Sequence, residues 1–219
     1  MAVLLLRHME SEKNIMNTFS SLSNNEVLTD NGIKYCDRAS ELIYDFAQNN
    51  TLSVNCIYCA KSIRAEMTAN ILAKKFGIGI KSYEELCSNR SGNLRGKSEQ
   101  EALKLNPIFM KQLSLFRAGI FSSYNFIKIY KREDKHDFEF RVINCVEKIL
   151  LNDTGDLQII VLHHSSLTAT VINYARKYYN YPSDFYGHVA CDLGNIYLVD
   201  NNDIILCNES PERLLSIKL

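Results

Sequence analysis

Arg7 and His8 stand directly after the apolar run Val3-Leu4-Leu5-Leu6, and His164 lies just beyond a second such run, Ile159-Ile160-Val161-Leu162. Both runs read as buried strands, so each leads to a histidine. In a sheet of parallel strands the carboxyl ends border the ligand crevice, where residues far apart in sequence can meet. A neutral histidine beside an arginine can attack phosphorus when cations hold the target and balance its charge. Ser11 and Asn14 follow closely and offer short polar side chains able to reach a phosphate oxygen. On these local residues alone, a solvated Arg-His pair is as good a reading as a phosphoryl-transfer centre.

The elements that must position these residues alternate along the chain. Strand character recurs at Ala2–Leu6, Val54–Tyr58 and Ile159–Leu162, then at Val189–Leu193, Ile196–Val199 and Ile204–Cys207. Between them, Thr29 or Asp30 can cap a helix with Tyr35, Ala39, Leu42, Ile43 and Phe46 at apolar spacing. Ser62 can cap a second, with Ile63, Met67, Ile71, Leu72 and Phe76 on one face and Gly77 as its stop. A third carries Phe138, Val142, Cys145, Val146 and Ile149, and a fourth, from near Ser166, carries Leu167, Val171, Ala175 and Tyr178. Such alternation predicts an α/β fold with a mostly parallel sheet. The stretch 86–135 departs from it, joining a basic, glycine-containing piece to the aromatic-rich Phe116 to Tyr130. It reads as an insertion or lid over the site. Its aromatics are more often packing, and they also hint at an apolar or ring-bearing substrate group.

With 219 residues and no Pro/Gly/Ser-rich linker, the chain reads as one domain, 1–219, able to bury a sizeable core. Lys+Arg and Asp+Glu both number 25, so no global charge favours nucleic acid or an anionic membrane, and any anion site must be local. The apolar start is too short for a signal-peptide core or a span, and a cytoplasmic protein is expected. Seven cysteines at irregular spacing suit a reducing compartment. Cys56 and Cys59 form a C-x-x-C without a second pair, and lie in a strand-like segment that favours core thiols over a metal or redox pair. Neither a metal nor an organic cofactor is expected.

Four segments together resemble a known family. Leu6-Arg7-His8-Met9-Glu10-Ser11-Glu12-Lys13-Asn14 is similar to the L-R-H-G-E-S-x-x-N signature of the histidine phosphatase superfamily, the phosphoglycerate mutase-like family. Leu28-Thr29-Asp30-Asn31-Gly32 resembles its L-T-x-x-G element, and Ile57 to Ala69 its I-Y-S-S-P-L-x-R-A-x-x-T-A element. Ile160-Val161-Leu162-His163-His164-Ser165-Ser166 resembles V-V-x-S-H-G-G. One such match is weak, but four in order over nearly the whole chain are specific. The resemblance implies a three-layer sandwich, a mostly parallel central sheet flanked by helices. It also implies that His8 accepts the phosphoryl group as a covalent phosphohistidine, with Arg7, Arg64 and His164 neutralising phosphate oxygens. His163 competes with His164 for the second position; matching His163 to the family serine favours His164. Ser11, Asn14, Ser165 and Arg95 are the further candidate substrate contacts, and a helix starting at Ser165 or Ser166 would aim its N-terminus at the phosphate.

Two departures from the pattern matter. Met9 replaces the usual glycine, which predicts a narrowed or reshaped pocket mouth. Leu86-Cys87-Ser88-Asn89-Arg90-Ser91-Gly92-Asn93-Leu94-Arg95-Gly96 resembles the L-N-E-R-x-Y-G-x-L-x-G segment of mutases, with Ser88 at the glutamate that protonates the leaving oxygen. A serine hydroxyl is far too weak an acid for an alkoxide leaving group. Glu84 or Glu85 could fill the space if the loop shifts; the substrate could carry a good leaving group; or the chain could bind phospho-ligands without turnover. A mutase is disfavoured because Lys131-Arg132-Glu133-Asp134-Lys135 dilutes the needed basic charge with acids. The reading is a phosphatase acting on a small phosphorylated metabolite. Its oligomeric state is open.

Overall fold

The computed structural model describes residues 2–19, 26–117, 126–179, 189, 192–200 and 203–207. Among these, six strands form one sheet: β1 (Ala2–Arg7), β2 (Cys56–Ala60), β3 (Gly79–Tyr83), β4 (Leu157–Leu162), β5 (Ile196–Asp200) and β6 (Asp203–Leu206). Their order is β3-β2-β4-β1-β5-β6. β1 pairs parallel with β4, β4 with β2 and β2 with β3, while β5 runs antiparallel to both β1 and β6. The sheet is therefore mixed, with β5 alone reversed.

The helices are α1 (Glu12–Met16), α2 (Asp30–Asn49), α3 (Ile63–Phe76), α4 (Glu99–Leu105), α5 (Pro107–Arg117), α6 (Lys135–Asn152) and α7 (His164–Tyr179). Every residue of β2 and β4, and all of β1 but Arg7, is buried. Because successive strand residues point to opposite faces, unbroken burial means that helices cover both faces of the sheet, which gives the α/β sandwich. The core joins Leu4, Leu5, Leu6, Ile57, Ile159 and Ile160 to Ile43 and Phe46 of α2 and Leu72 of α3.

Local chemistry explains the helix ends. Thr29 caps α2, its hydroxyl accepting the Gly32 N–H at 2.9 Å, and Ser62 is the N-cap residue of α3. Gly77 stops α3 at φ +69°, a conformation without a Cβ penalty. α6 begins after Asp134, whose carboxylate accepts the His136 N–H at 2.8 Å. Within α2 the buried face runs through Cys36, Ala39, Ile43, Phe46 and Ala47, and Tyr35, expected to face inward, is 65% exposed.

Several expected bounds shift. β2 begins two residues later than the Val54–Tyr58 run, at Cys56. The expected strand Val189–Leu193 is not seen at Val189, Asp192 or Leu193, and its middle lies outside the described residues. β3 was not expected; it lies at the sheet edge with no residue buried, so it carries no apolar alternation to betray it. The stretch 86–135 contains α4, α5 and a short 3₁₀ turn at Gly92–Leu94, with its own cluster of Leu94, Ala102, Phe109 and Ile129. Cys56 and Cys59 are both buried in β2, and burial pushes the Cys59 thiol up to about 12. Among the described residues no helix is long and apolar enough to cross a membrane.

Candidate active site

His8 emerges directly from β1, and its backbone N–H donates to the Leu162 carbonyl at the end of β4 (3.0 Å). Since Arg7 pairs with Leu162, the next residues of the two chains lie side by side. The imidazoles of His8 and His163 accordingly meet edge to face, centroids 5.0 Å apart. Between them reaches Arg64, from the first turn of α3, only 2% exposed. Its Nε donates to His8 Nε2 (3.1 Å) and its terminal Nη2 donates to His163 Nδ1 (3.2 Å). Its other terminal nitrogen forms an ion pair with the buried carboxylate of Glu26.

These partners assign the imidazole protons. His8 Nδ1 lies 2.8 Å from the Met9 carbonyl, which can only accept, so Nδ1 carries the hydrogen and Nε2 keeps its lone pair. His163 Nδ1 accepts from the guanidinium, so its hydrogen is on Nε2, 3.1 Å from the Ser62 hydroxyl. Burial first, and the Arg64 charge second, push both histidines well below the usual imidazole range. Both are neutral at pH 7. Arg64 is itself lowered by burial to about 10 and stays cationic.

The two histidines and Arg64 line a cavity of about 330 Å³. Arg7, Lys13 and Asn14 line the same cavity. Burial, followed by the charges of Arg64 and Arg7, lowers Lys13 to about 7. Asn14 is held by Ser11, whose N–H and hydroxyl both donate to its Oδ1 (3.1 and 2.6 Å), leaving the Asn14 amide hydrogens as its donors toward a ligand. The loop after His8 is fastened to α3: the Met9 N–H donates to the Thr68 hydroxyl (3.3 Å), which donates to the Arg64 carbonyl (2.9 Å). Such a constellation pairs a neutral nitrogen nucleophile with cations that hold an anionic target.

The candidate residues divide into those that line the cavity and those that do not. The ring against His8 belongs to His163; His164 lines the cavity from the exposed start of α7. The reason is register: pairing Arg7 with Leu162 brings residue 163 level with His8, and the chain turns into α7 at the next residue. Ser11 is fully buried and acts on Asn14 without lining the cavity. Arg95 is exposed at the end of its 3₁₀ turn and does not line the cavity. Ser165 does line it, its hydroxyl accepting the Asn89 N–H at 3.3 Å.

Glu84 and Glu85 do not line the cavity either. They sit on a 3₁₀ turn that buries Leu86 in the core, and the Glu84 carboxylate pairs outward with Lys61 (3.2 Å). Ser88 stands at the cavity wall, with Glu99 as the one lining carboxylate among the described residues. Met9 is buried and does not line the cavity, its sulfur 2.9 Å from where a Cβ on Gly194 would stand.

Other contributors were missed. Arg141 of α6 donates to the carbonyls of Glu85, Cys87 and Ser88 (2.6, 2.9 and 3.1 Å) and pairs with Glu133, fixing the loop that carries Ser88. No local signal marks Arg141 or Glu26 in the sequence, because each acts across elements. Lys13 was within reach, one residue before Asn14 on the segment that follows the nucleophile.

The fold has counterparts among known proteins. By sequence, no curated protein matches the chain. Its fold is similar to that of a mycobacterial glucosyl-3-phosphoglycerate phosphatase complexed with VO3, at 14% identity and TM-score 0.74, covering 94% of this chain and 95% of the other. It is also similar to the alpha-ribazole phosphatase of Shigella flexneri, at 19% identity and TM-score 0.72, covering 94% of each chain. Bacillus stearothermophilus YhfR gives 20% identity and TM-score 0.73, with the same coverage of both chains. At such identities these likenesses concern the fold. The model of the histidine phosphatase superfamily (branch 1) matches residues 3–202, and the chain belongs to that superfamily.

Proposed function

We propose that the protein is a phosphatase that hydrolyses a small phosphorylated metabolite through a phosphohistidine on His8, and that it favours good leaving groups. The observation that carries this reading is the neutral His8 ring, its Nε2 lone pair accepting from Arg64 at the wall of a cavity that Arg7 and Lys13 also line. Nε2 attacks phosphorus as the bond from phosphorus to the leaving oxygen breaks, and the resulting phosphohistidine is cleaved by water, which restores His8 and releases phosphate. The lone pair used in attack is the one that accepts from Arg64, so the guanidinium must shift its Nε–H from His8 to a phosphoryl oxygen. His163 and Glu26 keep it in place while it does so.

The preference for good leaving groups follows from the cavity wall. Ser88 cannot supply the proton that an alkoxide needs, and a positioned acid is worth roughly 100-fold or more. Aryl or acyl phosphates should therefore turn over about 100-fold faster than alkyl esters. His8→Ala should abolish turnover of an aryl phosphate and the acid-labile phosphoenzyme; ligand binding without hydrolysis or phosphohistidine would leave a phospho-ligand binding protein instead.

One observation favours a second reading of the acid. Glu99 lines the cavity and would be the donor if alkyl esters prove good substrates. Glu99→Gln would then lower alkyl-ester hydrolysis and leave aryl phosphate hydrolysis much less affected.

A further inference from the structure

The cavity does not end at the phosphate-binding residues. It continues to a wall of Phe19, Leu94, Phe109, Leu113, Phe116 and Phe126, with Arg132 among them. Phe126 stands edge to face with both Phe109 and Phe116, centroids 5.3 and 5.6 Å away. The Arg132 guanidinium carbon lies 5.0 Å from the Phe109 ring centre and 5.4 Å from that of Phe126. The rings offer only their faces, and Arg132 makes no side-chain hydrogen bond or ion pair with the described residues. Its donors are consequently available to whatever enters the cavity.

The backbone builds this arginine into place. Lys131 adopts φ +57°, and the turn lies so close on Gly92 that a Cβ there would stand 2.3 Å from the Tyr130 carbonyl oxygen and 2.5 Å from the Arg132 nitrogen. The neighbouring cation, Lys135, is already paired with Glu139 at 2.7 Å. A cavity of about 330 Å³ is of the size that holds a whole small-molecule ligand, so most of it must serve the part of the substrate beyond phosphorus.

Building on the phosphatase reading, we propose that the aromatic end of the cavity is a leaving-group subsite for a planar ring with an anionic or hydrogen-bond-accepting edge. The ring lies among Phe109, Phe116 and Phe126, and its accepting edge meets Arg132. The substrate class is thus a phosphate monoester whose leaving group carries a planar ring, aryl esters included, as opposed to a phosphorylated sugar or three-carbon acid.

The test compares esters of matched leaving-group acidity: butyl phosphate, 2-phenylethyl phosphate and its 4-carboxy derivative. The ring should raise kcat/KM about 10-fold and the carboxylate several-fold more. Phe126→Leu should reduce the first gain, and Arg132→Met should bring the carboxylated and plain ring esters to equality. Equal kcat/KM for the butyl and phenylethyl esters would overturn the subsite, as would gains that survive both substitutions.

Acetyl phosphate, with a good leaving group and no ring, separates this outcome from failure of the phosphatase reading itself. Calorimetric binding of butyl- and 2-phenylethylphosphonate reads the subsite without any turnover. A protein inert to acetyl phosphate that still binds the ring phosphonate about 10-fold tighter keeps the subsite and loses the phosphatase; turnover of acetyl phosphate with no ring preference does the reverse.

Discussion

Lys13 faces the same anion as Arg7 and Arg64 but, unlike them, it can lose its charge near neutrality. Burial and the two guanidinium charges lower it to about 7, so it is cationic below that pH and neutral above it. With a phosphomonoester dianion as substrate, kcat/KM should fall several-fold between pH 7 and 9, and Lys13→Arg should move that decline to higher pH. A flat profile for the unmodified protein would deny Lys13 a part in binding. Glu26 matters for a different reason, since it is the buried carboxylate that balances Arg64. Glu26→Ala leaves that guanidinium uncompensated and should cost about 3 kcal/mol in urea unfolding. Arg7, His8 and Arg64 could be read from the sequence because they lie on short motifs at element ends. Which of His163 and His164 packs on His8 could not, because a shift of one residue in register sets that contact and the apolar run Ile159 to Leu162 fits either placement.

At the scale of elements, the start of α2 is docked on the loop that follows the nucleophile. The Thr29 N–H donates to the Glu10 carbonyl (3.1 Å), and its hydroxyl donates to the Glu10 carboxylate (2.7 Å). Gly32 allows this approach, because a Cβ there would stand 2.1 Å from the Glu10 carbonyl oxygen. Alanine is the better helix former by about 1 kcal/mol, yet the clash outweighs that gain. Gly32→Ala should lower stability by about 2 kcal/mol and reduce turnover, measured by thermal unfolding and aryl phosphate hydrolysis; a stabilised, fully active variant would contradict the docking. The cap at Thr29 and the stop at Gly77 were plain in the sequence, being local chemistry, whereas the Ser62 hydroxyl turns from its helix to His163. β3 was not, because an exposed edge strand needs no apolar face. Glu84 and Glu85 do not line the cavity because burying Leu86 fixes the turn that carries them, a constraint from the core that residue spacing does not reveal.

Across the whole molecule, the burial of His8 and His163 makes stability depend on pH. Both have folded pKa values depressed below the unfolded value of about 6.5, so their contribution is present above that pH and is lost as pH falls through it. Between pH 7.5 and 5.5 the urea midpoint should therefore fall, and His163→Gln should make that fall smaller. The alternation of strands and helices announced the α/β class, while the strand order lay beyond reach because pairing partners are distant in sequence. That order has a consequence for a chain growing from its N-terminus. β4 lies between β1 and β2, so until Leu162 has been made these two early strands have no common neighbour, and each leaves a bare edge open to wrong partners. His8 leaves the ribosome long before His163, so no nascent fragment ending before β4 has both walls of this cavity, and binding competence arrives together with protection of the sheet.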